Sequence, residues 1–193
     1  MEHLTYTETQ KIFTIVVCGG NRGAAIKDLR TMIQARGKTP TWEYMITMPG
    51  NYILSYNAFP KIYQKLTHYM SHRKVHRITK AIKKGKPKTL KKDGLFYRSK
   101  REEYLHESIA EFGKKGTEFS VSDDCKACGL CAKICPVQNI SVSNGKIVFG
   151  GHCNQCMACI QWCPNHAIDW NNQAANRRRY HHPDIKVSDL FVQ

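Results

Sequence analysis

Eight of the nine cysteines fall between positions 125 and 163, in two runs of one spacing. Cys125, Cys128, Cys131 and Cys135 form the first, and Cys153, Cys156, Cys159 and Cys163 the second. Each reads C-x2-C-x2-C-x3-C-P, closed by Pro136 or Pro164. Thiols at this density are metal ligands rather than disulfide partners in a reducing cytosol. A structural zinc site asks for C-x2-C pairs set far apart, not triples followed by Cys-Pro. A cluster with mixed ligands would place histidine where two of the cysteines stand, and neither run does so. The chemistry left is that of iron–sulfur cubes held by four thiolates each. Such cubes keep no iron open to a substrate, and no Ser-His-Asp set or phosphate-binding loop accompanies them.

The elements that must position these thiols are themselves repeated. An offset of 28 residues maps each cysteine of the first run onto one of the second, Pro136 onto Pro164, and Ile140 onto Ile168. The strand-like residues ahead of each run also match, Phe119 with Ile147 and Val121 with Phe149. Two copies of so small a unit cannot each bury a core, so they are expected to pack on one another with approximate two-fold symmetry. Ala127, Gly129 and Ala158 leave backbone N–H groups free to approach cluster sulfurs, while Ile140 and Ile168 supply an apolar shell.

Upstream, Ile12–Val17 is an apolar run stopped by Cys18-Gly19-Gly20-Asn21-Arg22-Gly23, the mark of a strand buried on both faces. Ala25, Ile26, Leu29 and Ile33 recur at helical spacing up to Gly37. Trp42, Tyr44, Ile46 and Met48 then alternate as a second strand, giving a βαβ order. From Pro60, the residues Ile62, Leu66, Tyr69, Met70, Val75, Ile78 and Ile82 mark one or two amphipathic helices ending near Lys84. A basic linker over Gly85–Gly94 and a helix over Ser99–Phe112 lead through Gly113–Gly116 to the cysteines.

The cysteine runs resemble those of the bacterial two-cluster ferredoxins. Together with Gly19–Gly23, Met48-Pro49-Gly50-Asn51-Tyr52-Ile53, the long helix and the tail Arg179-Tyr180-His181-His182-Pro183, they resemble the EFR-type ferredoxins, which join a flavodoxin-like domain to a two-cluster ferredoxin. The resemblance implies an α/β partial flavodoxin-like domain plus an α+β two-cluster ferredoxin domain. The expected segments are a partial flavodoxin-like domain at 1–59, a basic helical connector at 60–116 and the ferredoxin with its tail at 117–193. It further implies crossed ligation, since the fourth cysteine of each run serves the opposite cluster. The first 4Fe-4S cluster then takes Cys125, Cys128, Cys131 and Cys163, and the second takes Cys135, Cys153, Cys156 and Cys159.

A flavodoxin holds the FMN phosphate in a Ser/Thr/Gly-rich turn that opens a helix. No such turn is found here. The chain is expected to enter that fold near its fourth strand, as a real truncation or a start-site error, and to offer only half a flavin site at Cys18–Gly23. A sheet cut this way leaves an open edge, to be covered by a partner, by the long helix or by self-association.

Three readings of function follow. The first is low-potential electron transfer through two 4Fe-4S clusters. The second is a flavin-linked iron–sulfur oxidoreductase, or a subunit of one, that receives FMN across a partner interface. The third is nucleic-acid binding by an iron–sulfur protein. The formal charge of +15 belongs to the middle of the chain, where residues 61–101 carry fifteen Lys or Arg against Asp93. Lys83, Lys84, Lys86, Lys88, Lys91 and Lys92 suit phosphates, a solvated face, or an acidic redox partner. The absence of interleaved aromatics favours the partner. Cys18 reads as a structural thiol at a strand end rather than a reactive one. His152, His166 and Trp162 read as surface or packing residues. No apolar run approaches the ~20 residues of a membrane span, and the first residues lack the pattern of a signal peptide, so a cytoplasmic location is expected.

Overall fold

The computed structural model describes residues 5–20, 22–23, 25–90 and 118–192. They divide into two compact units. One runs up to Gly50 and resumes at Phe59, and the other joins Asn51–Ala58 to the cysteine region. These limits differ from the segments expected at 1–59, 60–116 and 117–193. The long helix is no separate connector, because it packs on the first unit's strands, and residues 51–58 lie in the cysteine unit. The expected helix over Ser99–Phe112 and its lead-in at Gly113–Gly116 lie outside the described residues.

In the first unit, β1 (Phe13–Cys18) and β2 (Trp42–Thr47) run parallel, with Phe13 opposite Trp42 and Cys18 opposite Thr47. Helix α1 (Ala25–Gln34) connects them and buries Ile26 and Ile33. It stops at Gly37, whose φ of 76° lets the Lys38 N–H reach the Ile33 carbonyl and the Gly37 N–H that of Gln34. The basic stretch after Gly85 lies along β2. Lys88 forms a parallel bridge with Trp42, and the Trp42 indole donates to the Lys86 carbonyl at 2.6 Å.

Glu43, only 1% exposed, pins this arrangement. Its carboxylate accepts from Arg30 Nε and Nη2 at 2.8 and 2.6 Å and from the Leu90 N–H at 2.8 Å. Burial pushes the Glu43 carboxyl pKa up, but these donors and the charges of Arg30 and Arg22 outweigh it and hold the group below its usual value.

Helix α2 (Lys61–Lys83) crosses the opposite face. Thr67, Ser71 and Ile78 form its buried side, and the Ser71 hydroxyl donates to the Thr47 carbonyl. Small side chains let the helix approach β2, where Trp42, Tyr44, Ile46 and Ile78 cluster. Of the apolar residues that marked the helix in the sequence, Ile78 lies on that seam and Ile82 packs beside it, whereas Ile62 is 76% exposed and Leu66, Tyr69 and Met70 are also open. Phe13, Ile15 and Val17 share the sheet face of Trp42, Tyr44 and Ile46 but are exposed. Among the described residues, β1 pairs with β2 alone.

The second unit is two antiparallel strand pairs around two short helices. β3 (Phe119–Val121) pairs with β6 (Ile168–Trp170), and β4 (Ile140–Ser143) with β5 (Lys146–Phe149). Helix α3 (Leu130–Lys133) belongs to the first cysteine run and α4 (Ala158–Trp162) to the second. The β4–β5 turn is Asn144-Gly145, both at positive φ, as a tight hairpin requires. The core includes Ile140, Ile160, Ile168 and Trp170, completed by Ile53 and Leu54 from the 51–58 segment. Phe119 stacks on Phe149 at 4.3 Å and meets Trp170 edge-on at 4.6 Å.

Candidate metal centre

The offset of 28 residues is written into the backbone. Ala127 and Gln155 both have φ of 49°, Gly129 and Met157 have 72° and 60°, and Gln138 and His166 have 50° and 53°. Left-handed conformations at non-glycine residues are uncommon, and here they recur at equivalent points of both runs. Their effect is to turn amides toward sulfur. The Ala127 N–H donates to Cys125 Sγ at 3.4 Å and the Gln155 N–H to Cys153 Sγ at 3.3 Å. The Asn139 N–H donates to Cys135 Sγ at 3.2 Å and the Ala167 N–H to Cys163 Sγ at 3.3 Å. Of the small residues singled out by sequence, Ala127 gives such a donor. Gly129 and Ala158 instead stand at the starts of α3 and α4.

The cysteines ring two cavities. One is lined by Cys125, Cys128, Cys131 and Cys163 together with Ile147 and Ile168. The other is lined by Cys135, Cys153, Cys156 and Cys159 together with Phe119 and Ile140. Each thus gathers three thiols from one run and the fourth from the other. Among the described residues, no three His, Cys, Asp or Glu side chains converge as they would on one metal ion. The thiols surround a space instead, which suits a polynuclear group better than a lone zinc.

All eight thiols are unpaired with one another. Cys128 and Cys156 are exposed, while Cys131, Cys135 and Cys159 are buried. Burial pushes the Cys131 thiol up to about 11, raises Cys153, and raises Cys159 further still. A thiolate at these depths needs a cationic partner, and iron is one, so uptake would release protons.

Sequence reasoning missed the shell outside α4. Gln161 Nε2 donates to the Asn51 carbonyl at 2.7 Å, and Gln161 Oε1 accepts from the Tyr180 N–H at 2.9 Å. Arg177 and Arg178 donate to the carbonyls of Ile53 and Ala58. Trp162 stacks on His181 at 3.8 Å, which makes it a packing residue. His152 is exposed, its ring facing the Val137 carbonyl, and His166 is exposed at the left-handed turn after Cys163. The only signal for this shell was the Arg179–Pro183 string itself.

Cys18 sits half-exposed at the end of β1. The half-site expected at Cys18–Gly23 includes Asn21, which lies outside the described residues. Beside α2, a groove is lined by Tyr44, Tyr63, Leu66 and Met70 and by the cations Lys74, Arg77, Lys86 and Lys88. No described helix is long and apolar enough to cross a membrane.

The family model described as a 4Fe-4S binding domain matches residues 121–141, the segment that holds the first cysteine run. No curated protein and no solved structure matches the chain. The match and the clustered cysteines support a ferredoxin-like iron–sulfur domain with a role in electron transfer.

Proposed function

We propose that the chain is a low-potential electron carrier holding two 4Fe-4S clusters with crossed ligation. Cys125, Cys128, Cys131 and Cys163 hold one, and Cys135, Cys153, Cys156 and Cys159 the other. The observation that carries this reading is the pair of cavities, each ringed by three thiols of one run and the last thiol of its repeat. Bound there, the clusters would supply one-electron acceptor sites. The residues around them do the rest. Ile140, Ile147 and Ile168 line the cavities with apolar surface, which disfavours added negative charge and so lowers the potential. The amides of Ala127, Asn139, Gln155 and Ala167 oppose that tendency by donating to ligand sulfurs. Crossing makes each repeat depend on the other for a fourth ligand, so cluster loss should loosen both.

The cationic surface of α2 and of Lys86 and Lys88 fits a redox partner with an acidic face, where complementary charge speeds encounter.

Anaerobic purification followed by iron and sulfide analysis tests the reading. About eight of each per chain are expected, two cubes' worth, with EPR of the reduced protein showing interacting clusters. About four of each overturns the two-cluster reading, and zinc alone overturns the iron–sulfur one.

A further inference from the structure

The groove beside α2 holds about 800 Å³, the size of a small-molecule site, and its described lining belongs to the first unit alone. Its two ends differ. Helix α2 runs against β2, since Ser71 meets Thr47 at the end of the strand, while Lys86, just past the helix, meets Trp42 at the start. Toward Thr47 the helix wall is Tyr63, Leu66 and Met70, with no charged lining residue before Lys74. Beyond Ser71 come four cations, Lys74 and Arg77 from the helix and Lys86 and Lys88 from the stretch along β2. No acid stands among the described lining residues.

Both ends are left unsatisfied. Leu66 is 57% and Met70 59% exposed, although neighbouring bulky apolar side chains open to water mark a contact surface. None of the four cations forms an ion pair with a described residue. The Lys88 ammonium lies 5.4 Å from the centre of the Tyr44 ring, whose face holds it at the groove wall. Like charges lining one groove repel, and an anion between them relieves that. An occupant must match both ends. An acidic protein face calls for cations spread along the groove, whereas here they are confined to one end. A bare inorganic anion leaves the apolar end open to water.

We propose that this groove is a binding site for a free amphipathic anion, a single apolar chain that ends in a phosphate or carboxylate. The chain lies against Tyr63, Leu66 and Met70, and the head sits among Lys74, Arg77, Lys86 and Lys88. From Tyr63 to Arg77 the helix wall measures about 21 Å at 1.5 Å per residue, room for an extended alkyl chain and its head. Burial of the chain supplies affinity, and the cations fix which way round it binds. The site does not depend on the two-cluster reading.

The test is anaerobic titration calorimetry of the full chain with dodecyl phosphate, kept below its critical micelle concentration. One molecule per chain is expected, bound about a hundredfold more tightly than inorganic phosphate, because the chain adds many buried methylenes. Dodecyltrimethylammonium, the same tail with the opposite charge, is expected to bind at least about tenfold more weakly. Inorganic phosphate or polyglutamate binding as tightly as dodecyl phosphate overturns the proposal, since charge alone would then suffice. Equal binding of the ammonium overturns it from the other side. So does protein that sediments with vesicles of phosphatidylglycerol and phosphatidylcholine yet takes up no free dodecyl phosphate, which marks a membrane surface instead. Leu66→Glu and Arg77→Gln alter exposed side chains at the two ends, and each is expected to weaken binding about tenfold with the far-UV circular dichroism unchanged. Folded variants that both bind as the wild type does overturn the site. Photolabelling of the wild type by an alkyl phosphate with a diazirine at its far end decides the orientation without any variant. Labels within 63–70 are expected, and labels only at Lys86 and Lys88 or outside the groove overturn the proposal.

Discussion

The two cysteine repeats share a backbone but differ in what surrounds it. Left-handed turns fall at equivalent positions in both, and the same pair of amides in each donates to sulfur. The first run turns at Gly129, the second at Met157, which is buried in the core. The first run closes on Asn139, the second on Ala167. Helix α4 carries Gln161, which gathers residues from both the 51–58 segment and the tail, whereas α3 receives the Val192 N–H at the Lys133 carbonyl. What the repeats hold in common is what a ligand cage needs. What they do not share sets how tightly, and at what potential, each cage holds its charge.

The strongest way to break this comparison is to remove ligands one at a time. If ligation crosses, Cys163→Ala should damage the same site as Cys125→Ala, although Cys163 lies in the other run. Cys135→Ala should likewise behave as Cys153→Ala does. Each variant is expected to lose up to about four of roughly eight irons and to leave one EPR signal in place. If Cys163→Ala instead matches Cys153→Ala, each run closes its own site and the crossing is wrong.

The chemistry was legible in the sequence because ligation fixes residue type and spacing together, so eight cysteines and two prolines carry it without help from context. The βαβ order was legible for a similar reason, since β1, α1, β2 and α2 each follow one hydrophobic period and α1 ends on Gly37. Other features depend on contacts between distant positions. The Glu43–Arg30 pair, 2.6 Å apart, joins a strand to a helix, and nothing in either segment announces it. Ile53 and Leu54 read as part of the upstream domain, yet they fill the core of the cysteine unit. The α2 pattern misled in a different way. Of its bulky apolar residues only Ile78 is on the buried side, and Thr67 and Ser71 form the rest of it, because small side chains let the helix come close to the end of β2, where Ser71 reaches the Thr47 carbonyl.

A smaller effect should separate the two turns. Met157 pays for a left-handed backbone, worth roughly 1–2 kcal/mol, and recovers it by burying a side chain that lines the second cavity. Met157→Gly relieves the backbone but empties the core. Large-to-small changes of this kind cost about 2–5 kcal/mol, so a net loss of about 2 kcal/mol is expected. Gly129→Ala meets Val142 Cγ2 at 3.6 Å, an ordinary contact, so its cost is the backbone alone, about 1 kcal/mol. Anaerobic thermal loss of the visible cluster absorption reads both. A Met157→Gly variant that keeps its clusters to a higher temperature than the wild type would show that the buried side chain does not offset its backbone strain.

The smallest expected effect lies where Asn139 stands against Ala167. The Asn139 side chain accepts from the His152 N–H at 3.0 Å, and its backbone carbonyl accepts from the Gly150 N–H at 2.7 Å. The carboxamide so fills the corner that a Cβ on Gly150 would come 2.8 Å from Asn139 Oδ1. Asn139→Ala removes one hydrogen bond, at about 1 kcal/mol, and empties the corner as well. Gly150→Ala in the wild type must push the carboxamide off His152, for a similar cost. In the Asn139→Ala background that clash is gone, so the second substitution should cost close to nothing. The two changes are therefore expected to be non-additive by about 1 kcal/mol, measured by the same thermal loss of absorption. Simple additivity would mean that the carboxamide turns aside freely, and that the difference between the repeats at this corner is one of sequence without mechanical consequence.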